Sequence, residues 1–244
     1  MRFGLVVGII WAGMIVANAA AAERYAQAAA AYDGKQYAEA KALYEHLLHE
    51  GLRAPELYFN LANTYYRIGD FGQAILHYMN AFYFAPRDPD IRHNLKYVLH
   101  EADAVAPAIA WTAHIFRLAN RSEWTALATL FWWLTAMHTL FVCRPNQRRL
   151  CKLSMIIAAA LLVFCLAGIQ HWRQWRSQPM IVVTSAGQEA LFAPLADATA
   201  HFAMPQGSIA RVDASLDGWY RIRVNKKDGW IRQSDVTRVA PWTP

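Results

Sequence analysis

Apolar positions along the chain fall into three patterns. Residues 3–17, 124–142 and 153–169 are unbroken apolar runs without Asp, Glu, Lys or Arg. Between residues 23 and 103, apolar and small residues recur at helical spacing, with Gly69-Asp70 and Pro86 as punctuation. From residue 180 the runs shorten to β-type segments: Met180–Thr184, Glu189–Phe192, Ser208–Val212, Trp219–Val224 and Gly229–Arg232. Pro205-Gln206-Gly207, Asp217-Gly218 and Asp228-Gly229 are the expected turns between them. The expected architecture is multidomain: all-α helical repeats, two transmembrane helices and a small all-β barrel of five or six strands.

The helical part repeats with a period of 34. Shifted by that amount, Tyr37 falls on Phe71, Ala40 on Ala74 and Tyr44 on Tyr78, and Asn60-Leu61 falls on Asn94-Leu95. This pattern resembles the tetratricopeptide (TPR) repeat. Residues 55–88 carry it most fully, with Leu61, Ala62 and Tyr65 on a first helix and Phe71, Ala74, Tyr78 and Ala81 on a second. The repeat before it is degenerate, with Lys35 where the turn glycine would stand. Residues 88–102 form only a closing helix, and the array is assigned to residues 23–103. A single repeat cannot bury its apolar face, so neighbours must stack. The resemblance implies a concave protein-binding groove made by the first helix of each repeat. The positions facing it would be Tyr25, Tyr32, Phe59, Asn63, Tyr66, Arg67, His93, Asn94 and Tyr97, with Phe59, Asn63, Tyr66, Arg67 and Asn94 as the binding residues. Asn63 and Asn94 resemble the asparagines of a carboxylate clamp, but Phe59 stands where the clamp's lysine would be.

The apolar runs predict the topology. Residues 1–22, with Arg2 ahead of the first run and small residues Ala17-Asn18-Ala19 behind it, read as a signal peptide. Retention as an anchor is the alternative. The spans are assigned to residues 124–143 and 153–170; their apolar runs would cover roughly 25–29 Å as helices. The basic loop 144–152 between them, with Arg144, Arg148, Arg149 and Lys152, marks the cytoplasmic side. Residues 104–123 are expected to form an amphipathic stalk and 171–179 a linker. Both flanking domains then lie outside the cytoplasm, in a bacterial inner-membrane protein with a periplasmic array and a periplasmic barrel.

Charge changes the picture only by its location. The net charge is +6, yet residues 23–103 carry 8 basic and 11 acidic side chains and residues 177–244 carry 7 and 6. The basic excess flanks the apolar runs, so membrane topology explains it and nucleic acid is excluded as a partner. Cys143, Cys151 and Cys165 all lie outside the two soluble regions, which therefore have no disulfide. His46 and His49 lack a third ligand at metal-like spacing, and no metal or other cofactor is expected. His138, near the inner end of the first span, reads as a neutral packing residue.

The C-terminal region, residues 180–240, resembles the bacterial SH3 (SH3b) family. The residues that carry the resemblance are Leu191, Phe192 and Pro194, Gly207 before Ile209–Val212, Gly218-Trp219, and Asp228-Gly229-Trp230-Ile231. The family binds peptides or cell-wall fragments, which would place Trp219, Tyr220 and Trp230 on a ligand surface. The alternative is that Trp219 and Trp230 close the barrel core. The whole order resembles the BatE-type proteins of the Bat aerotolerance group. That resemblance implies an inner-membrane scaffold beside von Willebrand A-domain proteins and, indirectly, a MoxR-type ATPase. No catalytic motif stands out, and a non-enzymatic role is expected. A cell-wall sensor binding peptidoglycan and a cytochrome c biogenesis-type assembly factor are the competing readings.

Overall fold

A computed structural model describes residues 19–107, 116, 119, 121–141, 148–177 and 179–239. The expected signal peptide lies outside these residues except for positions 19–22, which are helical. The described residues form two units: those up to 107 together with those from 179, and those between.

The first unit begins with five helices: α1 (residues 19–33), α2 (Tyr37–His49), α3 (Pro55–Ile68), α4 (Phe71–Phe84) and α5 (Pro89–Glu101). Their ends follow local chemistry. Pro55 and Pro89 occupy first turns, where a missing N–H costs nothing. The Asp70 carboxylate accepts from Gln73 N at 3.1 Å, and that of Asp88 from Asp90 N and Ile91 N at 2.9 and 3.2 Å. Gly69 closes α3 in the left-handed conformation, φ 89°. Lys35 takes the same region, φ 60°, at the α1–α2 turn, where a glycine would relieve the strain. Tyr44 and Tyr78, one period apart, are both fully buried, with Leu47, Leu57, Leu61 and Ile75. Ala62, Ala74 and Ala81 have no exposed surface and let the helices approach closely.

Seven antiparallel strands follow in the same unit: β1 (Met180–Val183), β2 (Gln188–Leu191), β3 (Ala200–Met204), β4 (Ile209–Leu216), β5 (Trp219–Val224), β6 (Lys227–Arg232) and β7 (Val236–Arg238). Their order is β3-β2-β6-β5-β4-β1-β7. Ile181, Val183, Met204, Ala210, Tyr220, Ile222 and Ile231 fill the core. Two strands go beyond the sequence reading. β3 lacks a β-branched residue and β7 has three residues, so neither carries a local signal. Asp217-Gly218 is a turn as expected. Asp228-Gly229 instead lies inside β6. The β5–β6 reversal is made by Asn225-Lys226, φ 45° and 71°, the two positive values that a tight hairpin turn requires.

The helices and the barrel of this unit are packed together. The Gln206 amide donates to Asp70 Oδ1 at 3.3 Å and to the Thr184 carbonyl at 3.0 Å. Ile75 Cδ1 lies 2.3 Å from where a side chain on Gly207 would start. Residues 104–107, expected to open an amphipathic stalk, are not helical: Ile209 N donates to Val105 O at 2.7 Å and Val105 N to Ser208 Oγ at 3.1 Å. The rest of that stalk is largely outside the described residues.

The second unit contains two antiparallel helices, α6 (Arg121–Phe141) and α7 (Arg148–Ser177). α7 starts inside the expected basic loop and runs through most of the expected linker, so Arg148, Arg149 and Lys152 are helical. The pairing is matched at both ends. Trp124 lies against Gly168, and Ser154 Oγ hydrogen-bonds His138 Nε2 at 2.7 Å. Trp124 and Trp172 donate to the Phe116 carbonyl at 3.0 and 3.1 Å. Large apolar residues such as Leu130, Trp132, Trp133, Ile156 and Val163 face outward. Among the described residues one segment, Ser154–Gln174 with mean hydropathy 2.0, is long and apolar enough to cross a membrane.

Candidate functional site

One face of the helical array is built by α1, α3 and α5. Phe59, Asn63, Tyr66 and Arg67 stand along α3, and Asn94 faces them from α5. Phe59 meets the buried Tyr78 ring edge-on at 5.8 Å. The Tyr78 hydroxyl donates to Asn63 Oδ1, and Asn94 Nδ2 donates to the same oxygen at 3.2 Å. The two asparagines are therefore joined to each other and to the core, and the Asn63 carbonyl oxygen is occupied. Tyr66 meets Tyr97 edge-on at 6.0 Å, and Arg67 Nε donates to the Tyr32 hydroxyl at 3.4 Å. Tyr97 and Arg67 remain exposed. The Arg67 guanidinium is held above its ordinary pKa, first by the Tyr32 hydrogen bond.

At the N-terminal ends of α3 and α5 this face opens into a cavity of about 190 Å³, lined by Tyr25, Glu56, Phe59, Asn60, Asp88 and Ile91 among others. Asn60 Nδ2 donates to the Tyr25 hydroxyl at 2.6 Å. Burial and then the Glu56 charge push the Tyr25 phenol up. Phe59 and Tyr25 were expected on this face. Glu56, Asn60, Asp88 and Ile91 were not, because a period of 34 does not say which end of the groove is deep.

On the barrel, pleating separates the three expected aromatic residues. Tyr220 points inward and is 5% exposed, packed with Ile222 and Val224. It is a core residue and does not share a surface with its neighbours. Trp219 and Trp230 stand on the opposite face, where Trp219 pairs with Arg232 and Trp230 with Arg221 across the β5–β6 ladder. Both indoles are half-buried, so neither closes the core. The Arg232 guanidinium lies 5.2 Å from the centre of the Trp219 ring. Arg223 Nε donates to Asp228 Oδ1 at 2.7 Å and Arg221 Nη2 to Oδ2 at 3.3 Å. The Arg223 hydrogen bond is the main reason that the Asp228 carboxyl sits below its ordinary pKa.

Beside Trp219 is an open cleft of about 480 Å³, walled by Pro194, Leu195, Arg232, Gln233 and Ser234. Leu195 presents an exposed apolar side chain to it. An indole, a guanidinium, an amide and apolar loop residues can stack on and hydrogen-bond a flat polar chain such as an extended peptide or a glycan. Leu195, Arg232 and Gln233 were missed because only the register of β5 on β6 and the folded loops bring them to Trp219.

Truncating the two neighbouring aromatics separates surface from core. Trp219→Ala is expected to lower barrel stability by about 1 kcal/mol or less, and Tyr220→Ala by about 3–5 kcal/mol. Urea melts of the two variants check this. Equal losses would place both rings in the core.

Residues 189–237 match the bacterial SH3 domain family. This covers β2 to the middle of β7 and includes Trp219 and Trp230. No curated protein matches the chain.

Proposed function

We propose that this chain is a non-enzymatic scaffold of the bacterial inner membrane. Its TPR array holds a segment of a partner protein on the periplasmic side, within a Bat-like assembly that includes von Willebrand A-domain proteins. A MoxR-type ATPase would be reached through those partners. The observation that carries the reading is the face built by α1, α3 and α5, where half-buried Tyr25 and Phe59 line an open cavity and half-buried Tyr66 and exposed Arg67 stand further along α3. Aromatics with an arginine on one rigid surface are the residue types that dominate protein-binding energy.

Two features support a pair of membrane crossings. α6 lies antiparallel to α7 with both ends in register, so a bilayer spanned by Ser154–Gln174 also covers the apolar surface of α6. Residues 104–107 and 179–183 also belong to one packed unit. A chain that leaves and re-enters one such unit on one side of a membrane crosses it an even number of times, which supports two spans over one.

Affinity purification of the tagged protein from native membranes, followed by mass spectrometry, tests the reading. The expected result is recovery of von Willebrand A-domain proteins, reduced at least tenfold by Phe59→Ala with Tyr66→Ala. A preparation in which those partners are absent, or unaffected by the double change, removes the groove-based scaffold.

A second reading is favoured by the bacterial SH3 match together with the Trp219 cleft: the barrel binds cell wall. It predicts sedimentation of the full chain with purified peptidoglycan, lost on Trp219→Ala. Sedimentation unchanged by that substitution would rule out the cleft as the wall site.

A further inference from the structure

The SH3-like barrel carries two differently built ends. β4 runs from Ile209 to Leu216, about 25 Å in an extended strand. Its far end, at Asp217-Gly218, opens on the Trp219 cleft. Its near end, at Pro205–Ser208, is covered by the helical array and by residues 104–105.

The cover has the features of a fitted joint. Ser208 has no exposed surface, and its hydroxyl accepts from Val105 N at 3.1 Å. Val105 O accepts from Ile209 N at 2.7 Å, two residues before the β4–β5 ladder begins at Arg211↔Arg223. Val105 itself packs on the barrel core. Its backbone thus takes the place of a strand partner that β5 does not supply, the pairing by which extended peptides join sheet edges. On the helix side, a side chain at Gly72 would start 2.9 Å from Gln206 Cγ and from Thr184 O. Gly207 holds φ 86° and would meet Ile75 within 2.3 Å. Gln206 bridges Asp70, the cap of α4, to the Thr184 carbonyl. Two glycines at the closest approach, one buried hydroxyl with its donor and one bridging amide are more than chance juxtaposition supplies.

We propose that the near end of the barrel is an interaction surface whose ligand is this chain itself: the Ala104–Val105 segment and the start of α4. The barrel acts there as the terminal cap of a helical array too short to stand alone. Ligands in trans are left the helical face of α1, α3 and α5 and the Trp219 cleft, two sites carried on one body. This joint is independent of which partner occupies the groove, so its failure and that of the scaffold reading are told apart by separate readouts.

The test uses the full chain in native membranes with Cys143, Cys151 and Cys165 changed to Ser. Asp70→Cys with Gln206→Cys, at positions whose parent side chains are in hydrogen-bond contact, is treated with a short bis-maleimide, and the intramolecular crosslink is read as a mobility shift. The expected result is a crosslink within most chains, with Asp70→Cys and Gly218→Cys as the unlinked control pair. Adding Gly207→Ala should lower the yield several-fold, and adding Ile75→Ala as well should restore it. Gly187→Ala should leave the yield unchanged: Gly187 has a similar positive φ, 73°, but open space around it. A yield no higher than the control pair, crosslinks only between copies, or indifference to Gly207→Ala would each overturn the joint.

Discussion

Tyr78→Ala is expected to unfold the helical array. Tyr78 is 1% exposed at the centre of α4, its ring against Phe59 and its hydroxyl on Asn63. Removing a buried aromatic ring of this kind costs about 3–5 kcal/mol in lost burial and an unfilled cavity. A small domain has roughly 5–15 kcal/mol in all, and five helices lie at the low end of that range. Tyr78→Phe is the informative companion. It keeps the ring and deletes only the group that bonds Asn63, at a loss of about 1–2 kcal/mol. Urea denaturation of the full chain in detergent, followed by circular dichroism, separates the two. If the alanine variant stays within about 1 kcal/mol of the parent, Tyr78 is not the keystone of the α3–α4 pair. The phenylalanine variant then also reports on binding. With Asn63 and Asn94 still joined at 3.2 Å, partner recovery should fall only modestly.

Acid should weaken the same array through His77. Its ring lies between Tyr65 and Tyr58, with centroids at 5.3 and 6.1 Å. Its Nδ1 is sealed from solvent and has no hydrogen-bond partner, while the outer rim of the residue stays partly exposed. Burial lowers its pKa from 6.5 to about 4. The tyrosine rings that face it carry no charge at these pH values, and the charged groups that act on those rings are Glu45, Asp70 and Lys41 on Tyr65 and Arg53 on Tyr58. Between pH 6.5 and 4 the unfolded chain therefore binds a proton that the native chain does not. Stability is full above pH 6.5 and is lost as pH falls towards 4, with no further loss from this group below that. The expected loss is about 2–3 kcal/mol, allowing for the exposed rim. His77→Phe keeps the stack and removes the titration, so its urea midpoint should change less between pH 7 and pH 4.5 than that of the parent. Identical pH dependence in both proteins would place the acid sensitivity elsewhere.

Several features were legible because they depend on near neighbours in the chain. Gly69-Asp70 ends one helix and caps the next with its own backbone and carboxylate, so the α3–α4 turn needed no tertiary information. Asp217-Gly218 turns a hairpin for the same reason, with φ 42° and 84°. Asp228-Gly229 shows the limit. The pair has turn chemistry, but the register of β5 on β6 sets Asn225-Lys226 at the reversal and draws Gly229 under Ala190 and Phe202. Tyr220 shows it again. Three aromatics near two Gly-Trp pairs suggest one surface, and the two-residue period of a strand divides them between surface and core.

The sequence by itself determined the helical period of 34, the apolar runs and their flanking charges, and the SH3-like order of turns and tryptophans. Each is a pattern of spacing or composition that backbone geometry and water read locally. Only the tertiary structure decided that Asn63 and Asn94 are tied to Tyr78, that Trp219 shares a cleft with Leu195 and Arg232, and that Val105 completes the edge of a strand 104 residues further along the chain. Those contacts depend on which distant surfaces meet at van der Waals distance, and no periodicity records that choice.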